Sequence, residues 1–144
     1  MAHSFRFLDD IAVADLAFEA EGDSVVELFR AATEALLETL ADPATVAVIW
    51  EREIAQVSED LADLLFEWLS DLVYWKDAAG VVFHDADLSM VCEGTAWTLV
   101  AVLRGAPVDP TTQTLRSDVK GVTKHLYEVK QRGAGWYAQV VVDV

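Results

Sequence analysis

Residues 15–29 read DLAFEAEGDSVVELF, and this stretch decides the class of fold. Apolar and polar side chains alternate over Leu16–Glu21, which is the period of a half-buried β-strand. Gly22-Asp23 breaks the alternation, and Ser24 followed by Glu27 forms a capping box, a common start of a helix. Apolar residues at helical spacing come next. The sequence therefore predicts a strand that passes through a tight turn into an amphipathic helix.

The same two patterns repeat along the rest of the chain. Helices are predicted over Val25–Leu40 and from a cap at Ser58 to shortly before Gly80, and strands over Leu16–Glu21, Val46–Val57, Val81–Asp87, Thr95–Leu103, Val119–Val129 and Trp136–Val142. The polar segment Arg104–Ser117 is predicted to be a long loop and residues 130–135 a hairpin turn. This order of elements predicts an α+β fold, with two helices packed on a mainly antiparallel sheet.

Length and composition indicate one soluble domain spanning residues 1–144. Hydrophobic residues make up 53% of the chain, which is enough for a sizeable core. No apolar run reaches the roughly 18 residues that a membrane span needs, and residues 1–10 lack the apolar region of a signal peptide. Cys92 has no second cysteine to pair with, which fits a reducing cytosol. We therefore expect a cytoplasmic protein without a membrane partner.

The formal net charge of −15 restricts the class of partner. Binding to nucleic acid phosphates requires lysines and arginines that displace counterions, so an extended, direct nucleic-acid surface is not expected. A basic protein partner or bound cations suit such a surface better. The simpler alternative is that the acidity keeps the protein soluble.

The sequence lacks the familiar motifs of zinc sites and of nucleophilic catalysis. His3, His84 and His125 do not have zinc-ligand spacing, and there is no Cys-x-x-Cys pair. A Gly-x-Ser-x-Gly elbow and a phosphate-binding glycine loop are also absent. Cys92 has no basic neighbour in sequence and is predicted to be buried and unreactive, whereas His84 is predicted to be a surface group at a strand end. A pair of acid/base carboxylates stays open as an alternative, because Asp and Glu are plentiful.

Three segments, in order, resemble the archease family. The first is Ala14-Asp15, followed by the strand and the capped helix quoted above. The second is VKGVTKH at residues 119–125, which is similar to the family's Val-Lys-Ala-Val-Thr-Tyr-His. The third is VVVDV at residues 140–144, which resembles the family's ending of Asp and one aliphatic residue. The order of helices and strands between them also matches, so the resemblance covers nearly the whole chain.

The chain departs from the family pattern at a few positions. Archeases usually carry His-Thr-Ala-Asp at the first segment, whereas Ala12-Val13-Ala14 precedes Asp15 here, so the histidine is absent. Lys124 replaces the family's tyrosine, and Gln113 stands where a histidine is often found. These departures bear on the affinity for metal and on the extent of the cofactor activity.

The resemblance implies an archease-like fold and an accessory role without enzymatic activity of its own. The implied partner is the GTP-dependent RtcB-type RNA ligase of tRNA splicing or RNA repair, whose guanylylation and multiple turnover an archease stimulates. A more general chaperone or modulator of nucleic-acid-processing proteins is one alternative. A small metal-dependent hydrolase is another.

The resemblance also supplies the candidate metal ligands, Asp15 and Asp143. Asp15 opens one predicted strand and Asp143 closes another, so pairing within a sheet could bring them together, and the terminal carboxylate of Val144 would add a third anion. Such oxygen ligands suit a hard divalent cation, calcium or magnesium, better than zinc. The alternative is that both aspartates are unrelated surface groups at strand ends, and without the resemblance that alternative is favoured.

Lys120, Thr123 and His125 are the candidate residues that face the partner or its active site. The resemblance implies that their segment lies near the metal end of the protein and contacts the ligase. Residues two apart on a strand share a face, so Thr123 and His125 are predicted to point together, with Lys120 on the opposite face. The alternative is an ordinary strand with Lys120 in solvent and a partly buried His125.

Overall fold

The computed structural model describes residues 2–8 and 15–144. Residues 9–14 lie outside the described residues, and they include Ala12, which stands where archeases usually carry a histidine. In chain order the elements are β1 (His3–Leu8), β2 (Asp15–Gly22), α1 (Val25–Leu40), β3 (Trp50–Ser58), α2 (Leu61–Ala79), β4 (Val81–Glu93), β5 (Ala96–Pro107), β6 (Gly121–Arg132) and β7 (Gly135–Asp143), with a short 3₁₀ turn at Pro43–Thr45.

The strands form two antiparallel sheets rather than one. The first sheet has the order β1-β2-β7-β6, and the second has the order β3-β5-β4. Both helices contact both sheets, and one continuous cluster of buried apolar side chains joins all of these elements. The predicted α+β class with two helices and antiparallel strands is thus confirmed, and the structure adds the division into two sheets.

Helix α1 lies between the two sheets, and its sequence explains why. Four residues of this helix are not buried, and they are spaced four residues apart: Val26, Arg30, Glu34 and Glu38. That spacing is one narrow stripe along the helix surface, so every other face is available for packing. Ser24 Oγ accepts the Glu27 N–H at 3.3 Å and so begins the helix as predicted.

A buried hydrogen bond joins the two helices within the apolar core. Trp68 of α2 is completely buried, and its indole Nε1 donates to Thr33 Oγ1 of α1 at 2.9 Å. The Thr33 hydroxyl in turn donates to the Phe29 carbonyl at 2.6 Å. The indole N–H and the Thr33 hydroxyl therefore both have hydrogen-bond partners, so the large side chain of Trp68 is buried without an unsatisfied polar group.

The predicted cap of α2 was wrong by two residues. Asp60, not Ser58, is the cap, because its carboxylate accepts the N–H groups of Ala62 and Asp63 at 2.8 and 3.1 Å. Ser58 Oγ accepts the Asp60 N–H at 3.1 Å and orients the turn before the helix. The two polar residues thus act in sequence, and the one nearer the helix satisfies its free amides.

Several strand boundaries also differ from prediction, because pairing partners extend or shorten them. β3 begins at Trp50, where its pairing with β5 starts opposite Gly105. β5 continues to Pro107, within the predicted loop, since it stays paired with β4. The β6–β7 ladder reaches Arg132 and Gly135, so the connection is a two-residue turn rather than residues 130–135. The N-terminal strand β1 was not individually predicted.

Two side chains outside the main site differ from prediction. Cys92 is exposed at the end of β4, not buried. His84 is partly buried within β4, where its Nδ1 lies 3.0 and 2.9 Å from the carbonyl oxygens of Pro43 and Val46. Among residues 2–8 and 15–144, no helix is long and apolar enough to cross a membrane.

Candidate functional site

Three strand ends of the first sheet meet at one edge. Asp15, the first residue of β2, is directly opposite Asp143, the last residue of β7. On the other side of β7, Gly121 at the start of β6 is also opposite Asp143. The Lys120 N–H donates to the Asp143 carbonyl at 2.7 Å and extends this pairing by one bond. We call Asp15, Asp143 and Gly121 the acidic edge.

Both carboxylates of the acidic edge lie on the sheet face that points away from the helices. Phe18 of β2 and its partner Val140 of β7 belong to the helix-facing core, as do Leu16 and its partner Val142. Side chains alternate between faces along a strand, so the neighbouring residues Asp15 and Asp143 face outward together. Directly opposed residues have Cβ atoms about 5 Å apart, and like charges in such a pair repel.

The surroundings of the two aspartates leave their oxygens accessible. Asp143 is exposed and Asp15 is partly buried. Val144 follows on the opposite face, where it is partly buried and packs against the core. Within the described ranges no group of three or more His, Cys, Asp or Glu side chains is gathered closely enough to hold a metal. The acidic edge therefore offers two side-chain carboxylates from this part of the chain.

Lys120 and Thr123 lie next to the acidic edge, on the strand that completes it. Lys120 is exposed, and it contributes to lowering the pKa of Asp118, although Lys76 has the larger effect. Thr123 is opposite Val141 of β7 and, two residues from Gly121, shares its outward face. The Thr123 hydroxyl oxygen accepts the His125 N–H at 3.2 Å.

The strand becomes irregular immediately after Thr123. Between the pairs Thr123–Val141 and Glu128–Gln139, β6 contains four residues and β7 only one, so residues 124–127 form a bulge. We call these four residues the β6 bulge. No ladder pair fixes the orientation of His125, so the prediction that Thr123 and His125 point together stays a prediction. His125 is exposed on the bulge.

A buried lysine fixes the backbone that leads into the acidic edge. Lys76 of α2 is only 8% exposed, and its Nζ donates to Asp118 Oδ1 and to the Val119 carbonyl, both at 2.6 Å, and lies 3.0 Å from Asp77 Oδ1. Burial lowers the pKa of Lys76, but the bonds to Asp118 and Asp77 outweigh it, so the pKa is raised. This charged anchor holds residues 118 and 119, just before Lys120 and Gly121.

Farther from the acidic edge, the outward face of the same sheet has a compact charge network. Arg6 of β1 donates to Glu19 of β2, and this bond lowers the pKa of Glu19. The Tyr137 hydroxyl also donates to Glu19 at 2.9 Å, while burial, more than this bond, raises the pKa of Tyr137. Arg132 stacks on the Tyr137 ring at 3.7 Å. Glu19 is therefore paired, in contrast to the opposed Asp15 and Asp143.

The sequence did not reveal several residues that shape this region. Leu126 of the β6 bulge has a positive φ of 56°, and Gln139 Nε2 donates to its carbonyl at 3.0 Å. Leucine is not a residue that favours this conformation, so no local signal indicates it. Gln113, at the position of a family histidine, makes local bonds, with its amide bridging the Asp109 N–H at 2.9 Å and the Pro107 carbonyl at 3.0 Å.

Known proteins match this chain over nearly its whole length. The model of the Archease protein family matches residues 5–144. Protein archease of Methanosarcina mazei is 33% identical over 132 residues, which cover 91% of this chain and 90% of that protein. Protein archease of Methanopyrus kandleri is 31% identical over 131 residues, which cover 91% and 94% of the two chains.

Two solved structures have the same arrangement of elements. A Methanobacterium thermoautotrophicum protein solved in solution superimposes with a TM-score of 0.80 at 27% identity, covering 97% of this chain and 98% of that one. A crystal structure from Thermotoga maritima, described as an archease and possible chaperone, has a TM-score of 0.64 at 22% identity, covering 92% and 93%. The second similarity concerns the fold alone.

Proposed function

The chain belongs to the archease family, and on this premise we propose that it is an accessory protein of a GTP-dependent RtcB-type RNA ligase. It stimulates guanylylation of the ligase and allows multiple turnovers in tRNA splicing or RNA repair. The protein is not itself an enzyme. Its partner is the ligase, and it makes no extended direct contact with RNA, in keeping with the net charge of −15.

The observation that carries the proposal is the opposition of Asp15 and Asp143 on one outward face. Two neighbouring carboxylates at an accessible edge repel one another unless a cation or a basic group lies between them. Within residues 2–8 and 15–144, Glu19 pairs with Arg6 and Asp118 with Lys76, whereas Asp15 and Asp143 form no ion pair. The opposed pair supports a role in binding a cation together with a partner.

A hard divalent cation, calcium or magnesium, fits this donor chemistry. Asp15 and Asp143 would hold it, and the terminal carboxylate of Val144 stays a predicted third ligand. Such ions take six or more oxygen ligands, so water or groups of the ligase would complete the coordination. When bound, the cation supplies positive charge that neutralises the edge and attracts phosphate oxygens. Asp15 and Asp143 keep it at the surface, where a partner can share it.

A ligase assay tests the proposal directly. The purified chain is added at a low ratio to the RtcB-type ligase of the same organism, and ligated RNA per ligase molecule is counted. We expect at least tenfold more turnovers with the wild type, and stimulation close to background with Asp15→Asn or Asp143→Asn. Glu53→Gln is the matched control, because Glu53 is an exposed carboxylate on the second sheet. Equal stimulation by all variants would assign the activity to another site.

The missing family histidine provides a second test that is independent of the ligase. Ala12→His restores the residue type that archeases usually carry. Calcium affinity, measured by calorimetry on the wild type and on Ala12→His, is expected to be tighter in the variant. The gain should disappear when Asp15→Asn is added, because that substitution removes the carboxylate with which the new histidine would share the ion.

A general chaperone role is the second candidate, and an apolar surface favours it. Val57 of β3 and Val91 of β4 are both opposite Thr98 of β5, and they are 63% and 54% exposed on the outward face of the second sheet. Contiguous apolar patches mark protein-binding surfaces, and these two side chains flank the same position of β5. Suppression of aggregation of unrelated unfolded proteins, lost in Val57→Asp, would support this role over a ligase-specific one.

A further inference from the structure

The β6 bulge is the most unusual backbone feature near the acidic edge. Its four residues interrupt the pairing of β6 with β7, and Leu126 within it has a positive φ of 56°. This conformation is costly for any residue with a side chain, and it persists only where the surroundings impose it. The contacts of the β6 bulge with neighbouring elements therefore show how the conformation of Leu126 is imposed.

The last residue of the bulge is fastened to the start of α2. The Tyr127 hydroxyl donates to the Ala62 carbonyl at 2.6 Å, and its ring packs edge-on against Phe66 with centroids 5.3 Å apart. Burial raises the pKa of the Tyr127 hydroxyl far above its ordinary value, so this donor remains protonated. Tyr127 thus serves as an anchor that points inward.

The first residue of the bulge is fastened to the same helix. Lys124 Nζ lies 4.1 Å from the centroid of the Phe66 ring and 3.9 Å from Asp63 Oδ1. Between the two anchors, the Leu126 carbonyl accepts a bond from Gln139. The bulge therefore contacts α2 at both of its ends and β7 in the middle.

Only His125 and Leu126 are left to project from this framework. Both are exposed, and Leu126 has 47% of its surface accessible although it is a large apolar residue. An exposed leucine alone needs no explanation. A leucine held outward by a strained backbone and by anchors on two other elements is different, because a pre-ordered side chain loses little entropy on binding.

We infer that Leu126 is the apolar anchor by which this protein docks onto its ligase, with His125 as a polar contact beside it. The partner surface has an apolar socket for Leu126. This inference rests on the proposed function, and it names the contact through which that function is delivered.

Charge argues against a second copy of the chain as the occupant, which leaves the partner of the proposed function. Two copies would each bring a net charge of −15 and an acidic edge to the interface, which opposes self-association. Gly121 and Thr123 are separated by roughly 7 Å of strand, and the bulge follows at once. A partner contact of ordinary size, about 800 Å² on each side, is large enough to reach from the acidic edge to the β6 bulge.

Equilibrium binding to the purified ligase tests the inference. Leu126→Asp and Leu126→Gly are compared with the wild type and with Ile49→Asp, since Ile49 is an exposed apolar residue just before β3 of the other sheet. We expect the dissociation constant to rise at least tenfold for both Leu126 variants and to stay within twofold for Ile49→Asp. Leu126→Gly keeps the test valid if the aspartate unfolds the chain, because glycine adopts positive φ freely. Binding of Leu126→Gly with wild-type affinity would overturn the inference.

A footprint gives a second readout on the intact complex. Leu126→Cys and Ile49→Cys are each made in a Cys92→Ser background, because Cys92 is the exposed thiol of the wild type. Alkylation at position 126 is expected to slow at least fivefold when the ligase is added, with no change at position 49. If the wild type stimulates the ligase but position 126 stays reactive, the docking assignment fails alone. If the wild type has no effect on the ligase, the proposed function fails as well. Protection of position 126 without ligase, at high concentration of the chain, would assign the surface to a second copy.

Discussion

Asp15 and Asp143, separated by nearly the whole chain, are directly opposite each other in the antiparallel pairing of β2 with β7. Each lies at a strand end, and both face away from the helices. Such a pair is unfavourable by itself, so the fold holds a local repulsion at the edge where Gly121 and Lys120 also meet. The physical consequences can be measured without the partner.

Neutralising one of the two carboxylates should have opposite effects with and without calcium. In EDTA, Asp143→Asn is expected to raise the free energy of unfolding by about 0.2–1 kcal/mol, because a like-charge pair across a ladder is removed. At a calcium concentration one hundred times the dissociation constant, the wild type should gain about 2.7 kcal/mol that the variant lacks. Urea unfolding in the two buffers measures both effects. Glu53→Gln should respond in neither way, and a calcium gain that survives in Asp143→Asn would argue against this ligand.

The sequence predicts best those features that depend on local signals. Helix α1 has the predicted bounds because Ser24 caps its start, and the apolar spacing runs without interruption to Leu40. Strand β5 extends into a segment that reads as a loop, because β4 provides a paired neighbour as far as Pro107. The pairing of distant strands, not their composition, sets those boundaries.

In the candidate site, too, some features follow from the local sequence and others depend on contacts between distant residues. That Asp15 and Asp143 lie at strand ends follows from the sequence, but the register that makes them exact partners depends on the β2–β7 ladder. The β6 bulge could not be predicted, since Leu126 adopts its conformation through bonds from Gln139 and from the anchors on α2. Tertiary contacts override local preference at such positions.

Removal of the Thr33 hydroxyl should destabilise the core by more than its size indicates. In Thr33→Val the shape is kept, but Trp68 Nε1 loses its acceptor at a site that is completely buried. An unsatisfied buried donor costs about 1–3 kcal/mol, and we expect a loss of that size in the free energy of unfolding from urea titration. Thr33→Ser, which keeps the hydroxyl, should lose less. Equal stability of Thr33→Val and the wild type would mean that the indole finds another acceptor.

The Lys76–Asp118 pair predicts a defined dependence of stability on pH. The pKa of Asp118 is lowered in the folded protein, first by its bond to Lys76. Its contribution is therefore present above the unfolded pKa, about 3.9, and is lost as the pH falls through the lower folded value. The raised pKa of Lys76 gives the upper limit, since its contribution is complete below about pH 10.4 and is lost as the pH rises through the higher folded value.

This pair is tested by comparing the wild type with Asp118→Asn. Between about pH 5 and pH 2, the free energy of unfolding of the wild type should fall more steeply, because only the wild type must protonate this carboxylate. Between about pH 6 and pH 9 the difference between the two proteins should be constant. Parallel curves through the acid range would show that Asp118 is not held by Lys76 in solution.

Leu126 predicts an unusual order of stability among its variants. Glycine removes the conformational cost of a side chain at positive φ, about 1–2 kcal/mol, whereas alanine retains it and loses the few contacts of a half-exposed side chain. The greater flexibility of glycine in the unfolded chain offsets about 0.4–1 kcal/mol of this gain. We therefore expect Leu126→Gly to be more stable than Leu126→Ala by up to about 1.6 kcal/mol in urea unfolding, the reverse of the usual order in a strand. If alanine is the more stable variant, the bulge does not impose the positive φ, and the reason for a pre-ordered Leu126 disappears with it.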